Sequence, residues 1–153
     1  MRNFGLVGAS EFTNVSGYVG SIAGENFGVM VNVFSYATLN SNTGTGGIVG
    51  ANYGGSAVIV NSYFAGSINT SGSAGGIAGA NEGTISRSIS AGAVRSTDGW
   101  AGGIVGFNTD SSSFGGSIGK IVDSYATGSV TAFRGNGGGG LAGAADPATS
   151  IIN

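Results

Sequence analysis

Gly47-Ile48-Val49-Gly50-Ala51-Asn52 returns as Gly76-Ile77-Ala78-Gly79-Ala80-Asn81 and again as Gly103-Ile104-Val105-Gly106-Phe107-Asn108. Three hexamers this alike are an internal repeat, and the repeat decides the fold before any other feature is weighed. Weaker copies extend the series: Gly5-Leu6-Val7-Gly8-Ala9-Ser10, Ser21-Ile22-Ala23-Gly24-Glu25-Asn26 and Gly140-Leu141-Ala142-Gly143-Ala144-Ala145. Their marker glycines 8, 24, 50, 79, 106 and 143 are spaced 16, 26, 29, 27 and 37 residues apart. The central interval is the length of one solenoid coil.

A second segment follows the first. Asn61-Ser62-Tyr63-Phe64-Ala65-Gly66-Ser67-Ile68 matches Asp123-Ser124-Tyr125-Ala126-Thr127-Gly128-Ser129-Val130, with Arg87-Ser88-Ile89-Ser90-Ala91-Gly92-Ala93-Val94 between them. Apolar residues precede each copy: Ile59-Val60, Ile85 and Ile121-Val122. Each repeat thus holds three short β-type segments separated by Gly, Ser and Asn. The expected fold is all-β: a right-handed parallel β-helix with three short strands per coil of about 26 to 29 residues. Residues 1–153 form a single repeat domain, with central repeats at about 46–73, 74–100 and 101–137. Ser150-Ile151-Ile152-Asn153 aligns with Val58-Ile59-Val60-Asn61, so the chain is expected to be a fragment whose neighbours are further repeats of a parent protein.

Composition agrees. The 153 residues include 33 glycines, one proline and no cysteine; 8% are charged and 41% hydrophobic. Glycine without a three-residue period or abundant proline excludes a collagen helix. Glycine every few residues also works against an α-helix, at about 1 kcal/mol each relative to alanine. The apolar content is too high for a disordered linker, yet no run approaches the roughly 20 residues of a membrane helix. Net charge is −2, and Arg2, Arg87, Arg95, Lys120 and Arg134 are scattered singly, which argues against a nucleic-acid partner.

Equivalent residues of successive coils stack at about 4.8 Å, so a recurring residue becomes a ladder. Leu6, Ile22, Ile48, Ile77, Ile104 and Leu141 are expected to line the interior. Their neighbours Val7, Ala23, Val49, Ala78, Val105 and Ala142 are expected to face outward, because side chains alternate along a strand. Further interior ladders are Ile59, Ile85, Ile121, Ile151 and Ile68, Val94, Val130. Asn26, Asn52, Asn81 and Asn108 fall at a turn, where amides can hydrogen-bond along the stack; contact with a ligand or cation is the other reading.

These paired segments resemble the GLUG repeat of bacterial proteins, best in Gly47 to Ile68 and Gly103 to Val130. The resemblance covers nearly the whole chain. It implies a secreted or cell-surface protein with a structural or adhesive role, as in adhesin-like proteins and the non-catalytic parts of some immunoglobulin A peptidases. Host or matrix glycans or surface proteins would be the partners, and the address would be extracellular. Asn32 to Leu39 keeps only part of the second segment, and Ala145 stands where Asn is expected.

Chemistry is sparse. With no histidine and no cysteine, the commonest general base and all imidazole or thiolate metal sites are missing. No catalytic residue and no cofactor is assigned. Glu82 and Asp110 fall in loops of adjacent coils, the nearest approach to a glycosidase carboxylate pair. Asp98 and Asp110 could offer oxygen ligands to calcium, although the regular aspartate of calcium-binding solenoids is missing. Gly135 to Gly140 lacks a following Gly-Lys-Ser/Thr and reads as a flexible loop. Binding candidates are aromatic: Trp100, Phe107 and Phe114, with Tyr63 and Tyr125 either stacking on sugar or packing at a coil corner. The competing functions are a non-catalytic structural or adhesive module, a carbohydrate-binding module and, less favoured, a polysaccharide-active enzyme or an ice-binding solenoid, whose threonine array does not recur in register here.

Overall fold

The computed structural model describes residues 1–12, 16–110, 117–134 and 137–153. Among these residues every regular element is a strand, and every pairing is parallel. A complete coil holds β7 (Thr45–Gly46), β8 (Val49–Asn52), β9 (Val58–Val60), β10 (Tyr63–Phe64) and β11 (Ser67–Thr70). The next repeats them as β12 (Ala74–Gly75), β13 (Ala78–Asn81), β14 (Thr84–Ser86), β15 (Ile89–Ser90) and β16 (Ala93–Ser96). The third runs through β17 (Ala101–Gly102), β18 (Val105–Asn108), β19 (Lys120–Val122), β20 (Tyr125–Ala126) and β21 (Val130–Ala132). On one side stand β3 (Val19–Gly20), β4 (Ala23–Asn26), β5 (Val29–Ser35) and β6 (Thr38–Ser41), preceded by β1 (Arg2–Leu6) and β2 (Ala9–Phe12). On the other stand β22 (Gly138–Gly139), β23 (Ala142–Ala145) and β24 (Ser150–Ile152).

The fold is the expected parallel β-solenoid. Strands pair with their equivalents in the adjacent coils, on both sides in the middle of the stack and on one side at its ends, giving three five-stranded sheets and one of nine. Asn52 follows Asn26 by 26 residues, Asn81 follows by 29 and Asn108 by 27. The three recurring segments are all present, and bends divide two of them, so a central coil carries five strands. Gly138-Gly139, expected in a flexible loop, is instead strand β22, paired to Ala101-Gly102.

One bend overturns the outward assignment. Ile48 and Val49 both direct their amides at the carbonyl of Ile77, at 3.1 and 3.0 Å, and Ile77 and Ala78 share that of Ile104 at 2.8 and 3.1 Å. Two consecutive amides on one acceptor act as a bulge, which breaks the two-residue alternation. Ile48, Ile77 and Ile104 are therefore buried, and so are Val49, Ala78 and Val105. Ala23 and Ala142 pack against the core at the ends, whereas Val7 is 74% exposed and lies elsewhere. Glycine is required beside this bend: a Cβ on Gly75 would come within 2.6 Å of the Val105 Cα.

The first hexamer is likewise re-registered. Gly5 pairs with Phe34 and Leu6 with Ser35, which in turn stand opposite Tyr63 and Phe64. Residues 3–8 thus stack on the second segment, and the anomalous 16-residue spacing is not a coil. The cause is a corner: Asn3, Asn32, Asn61, Arg87 and Asp123 all hold left-handed φ between 47° and 54°. Asparagine tolerates that region better than most residues. Leu6 accordingly leaves the isoleucine ladder and joins the column Ser35, Phe64, Ser90, Ala126.

The remaining interior ladders hold in the middle coils. Ile59, Ile85 and Ile121 are fully buried and are extended by Met30; Ile68 and Val94 are 2% exposed and are extended by Leu39. At the end, Ile151 still stacks on Ile121 but is 43% exposed. Phe64, also fully buried, occupies the space left by its serine neighbours in the column.

Candidate functional site

Polar columns run inside the stack. Asn26 Nδ2 donates to Asn52 Oδ1, Asn52 Nδ2 to Asn81 Oδ1, and Asn81 Nδ2 to Asn108 Oδ1, each at 2.8 Å. Three of the four side chains have no exposed surface and Asn26 has 7%. The second amide hydrogen turns back to the local loop, as from Asn81 to Gly83 O at 3.1 Å and from Asn108 to Gly119 O at 3.1 Å. A buried amide bonded to its neighbours on both sides has a structural role. The column stops at Ala145, which stands opposite Asn108.

Ser62, Ser88 and Ser124 make a parallel column. The amides of Ser62 and Ser88 each donate to the next coil's hydroxyl at 3.1 Å, and each hydroxyl donates to a carbonyl two residues back. The Asn-Ser and Asp-Ser pairs in the sequence therefore serve one corner: the first residue takes the left-handed turn and the serine ties coil to coil.

The carboxylates are dispersed. Glu82 is 3% exposed beside the asparagine column, while Asp110 is exposed. Asp98 lies 3.4 Å from Arg134 Nε in a surface ion pair. Asp146 accepts from the Thr109 hydroxyl at 2.8 Å and the Asp110 amide at 3.1 Å. The Thr109 bond, then the Asp110 amide, holds its pKa below the ordinary carboxylate value. Among the described residues no cluster of three or more acidic side chains could hold a metal ion.

The aromatic candidates are more informative. Trp100 is 37% exposed and stacks on half-buried Phe107, with centroids 4.9 Å apart and planes at 24°. Phe114 lies outside the described residues. Tyr125 is 52% exposed, and Tyr63 is half-buried in an edge contact with Tyr36 at 5.9 Å, away from Trp100 in the fold.

Trp100 and Phe107 border a groove of about 340 Å³ whose opposite end is Tyr18. Coil register explains it. Tyr18, Gly44, Ser73 and Trp100 each immediately precede the paired strands β3, β7, β12 and β17, so they form one column of the stack. The members between Tyr18 and Trp100 are small, and beyond Trp100 the column continues to Gly137, which precedes β22. The second wall comes from Gly79, Ala80 and Phe107: in the column Ala51, Ala80, Phe107, Ala51 is covered by the Tyr18 and Tyr53 rings, and Ala80 leaves open what a phenylalanine fills one coil on. Ser16, Gly17 and Thr43 complete the rim, and the described lining carries no charged side chain.

Tyr18 is held in place. Its ring meets Tyr53 edge-on at 5.5 Å, and both pack on Ala51 and Ala80. Burial, then the hydrogen bond to Tyr18, then the charges of Glu82 and Glu25 push the Tyr53 phenol well above its ordinary pKa. Tyr53 is thus a neutral anchor at working pH. Gly44 lies under the Tyr18 ring, where a Cβ would come within 2.8 Å of Cδ1 and Cε1. Sequence reasoning singled out Trp100 and Phe107 but missed Tyr18. The signal was there: Tyr18-Val19-Gly20-Ser21-Ile22 aligns with Trp100-Ala101-Gly102-Gly103-Ile104.

No family model, no curated protein and no solved structure matches this chain.

Proposed function

We propose that this chain is a non-catalytic structural and adhesive repeat module of a bacterial secreted or cell-surface protein. The observation that carries this reading is the unbroken asparagine column, in which four buried amides bond coil to coil. Such a column resists sliding or separation of coils, because each displaced amide would be left buried and unbonded. Parallel pairing between equivalent strands from β1 to β24 makes the module a stack that can be lengthened one coil at a time. The resemblance to GLUG repeats supports the surface address, and host or matrix glycans or surface proteins are the partners proposed.

Two measurements test this. Incubation with a panel of polysaccharides should release no new reducing ends; release that is lost in Glu82→Gln or Asp110→Asn would make the chain an enzyme. In-frame deletion of residues 74–100 should leave a folded module shortened by one coil, about 4.8 Å. Global unfolding of that deletion variant would contradict a modular spacer.

A further inference from the structure

We propose that the groove between Tyr18 and the Trp100–Phe107 stack is a binding site for a short, neutral, linear oligosaccharide lying along the solenoid axis. This deepens the adhesive part of the proposed function by giving its glycan partners a site and a chemical class, and it does not depend on the structural, spacer part. The groove has two aromatic ends, Tyr18 and Trp100, in one column three coil spacings apart, about 14 Å by backbone. The Tyr18 ring leans across Gly44 and shortens that opening. What remains, about 340 Å³, is at the lower end of small-ligand sites and suits roughly two or three pyranose rings.

The chemistry selects the ligand class. A pyranose presents C–H faces that stack on aromatic rings and a hydroxyl edge that needs hydrogen-bond partners. The groove offers rings at both ends and the hydroxyls of Ser16, Thr43 and Ser73 between them. A charged glycan would find no counter-charge among the described lining residues. The Thr43 hydroxyl already donates to Gly17 O at 2.7 Å and keeps its lone pairs for a ligand; a purely apolar ligand would shut the Ser16 and Ser73 hydroxyls off from water, which costs free energy on binding. Tyr18 is already fixed by Tyr53 and Gly44, and Trp100 by Phe107. Little side-chain freedom is therefore lost when the site fills.

Trp100 is the chain's only tryptophan, so its fluorescence reports on this groove directly. The chain is titrated with cellotriose, xylotriose, laminaritriose, chitotriose, maltotriose and mannotriose, each to about 10 mM. At least one should produce a saturable change in emission, and polygalacturonate and heparin should not. Ser73→Phe keeps Tyr18, Trp100 and Phe107 but fills the gap between them. It should weaken binding about tenfold or more without lowering the thermal midpoint. Binding by Tyr18→Ala, followed by the same fluorescence, should fall similarly, and Tyr125→Ala should bind as the parent does. Where a variant fails to fold, Ser16→Ala and Thr43→Ala at the rim give the same test in milder form. The proposal is overturned by a flat titration with all six trisaccharides, by equal binding in Ser73→Phe, by equal losses in Tyr18→Ala and Tyr125→Ala, or by preference for the anionic polymers. Any of these leaves the spacer reading standing.

Discussion

Replacing Asn81 by alanine removes the middle rung of the buried amide column. Asn81 has no exposed surface, accepts from Asn52 Nδ2 and donates to Asn108 Oδ1, both at 2.8 Å. It also donates to Gly83 O, but that carbonyl keeps the Lys120 amide at 2.8 Å. Two groups are therefore orphaned, an amide hydrogen on Asn52 and the oxygen of Asn108. At about 1–3 kcal/mol for each buried unsatisfied group, the loss is about 2–6 kcal/mol, a large share of the roughly 5–15 kcal/mol that stabilises an ordinary domain. Asn26→Ala is the control. Asn26 stands at the end of the column, is 7% exposed, and its removal strips a donor only from Asn52 Oδ1 among the column members. The expected cost there is about 1 kcal/mol. Urea unfolding followed by the β-sheet circular dichroism signal gives both values, provided the slope is unchanged. Equal destabilisation of the two variants, within about 0.5 kcal/mol, would refute the reasoning, because position along the column would then not matter.

Other outcomes follow from the same geometry. Ala78→Asp should abolish folding as completely as Ile77→Asp, since both positions face the interior; a thermal midpoint near the parent's for Ala78→Asp would restore the outward assignment. Ser90 Oγ is buried and has no hydrogen-bond partner among the described residues, so Ser90→Ala should raise stability by about 1 kcal/mol, and a clear loss in urea unfolding would count against it. Arg87 holds φ 47° where the two preceding coils place asparagine, so Arg87→Asn should add about 0.5–1 kcal/mol, with an unchanged or lower midpoint as the contrary result. Because the folded pKa of Asp146 is lowered, its contribution is present above the unfolded carboxylate value and is lost as pH falls through the folded one. Acid unfolding profiles of the parent and Asp146→Asn should therefore converge at low pH and differ near neutrality.

The corrections share one origin. The alternation rule placed Val49, Ala78 and Val105 outside because it assumed a continuous strand through Ile48, Ile77 and Ile104. Nothing in Gly-Ile-Val-Gly announces that two amides will share one carbonyl of the neighbouring coil. Similarly, Gly5-Leu6-Val7-Gly8 differs from Gly47-Ile48-Val49-Gly50 only by leucine for isoleucine, but Asn3 occupies the left-handed corner shared with Asn32 and Asn61 and sets a different register. That corner was legible in the asparagines at 3, 32 and 61, evenly spaced, once the shared backbone conformation is known. The binding groove was half legible: Trp100 and Phe107 drew attention as aromatics, but Tyr18 became their counterpart only through stacking.

The sequence by itself determined that the chain coils, how long each coil is, that the strands are parallel and stacked in register, and that asparagine and isoleucine recur as columns. These follow from periodicity, because a residue repeated once per coil must meet its own copies. Tertiary structure alone decided which way Val49 and Ala78 point, where the first twelve residues join the stack, and that Tyr18 and Trp100 enclose a groove. Each of these depends on hydrogen bonds or ring contacts between residues more than twenty positions apart. One coil's sequence carries no information about the carbonyl, corner or side chain that its neighbour will present.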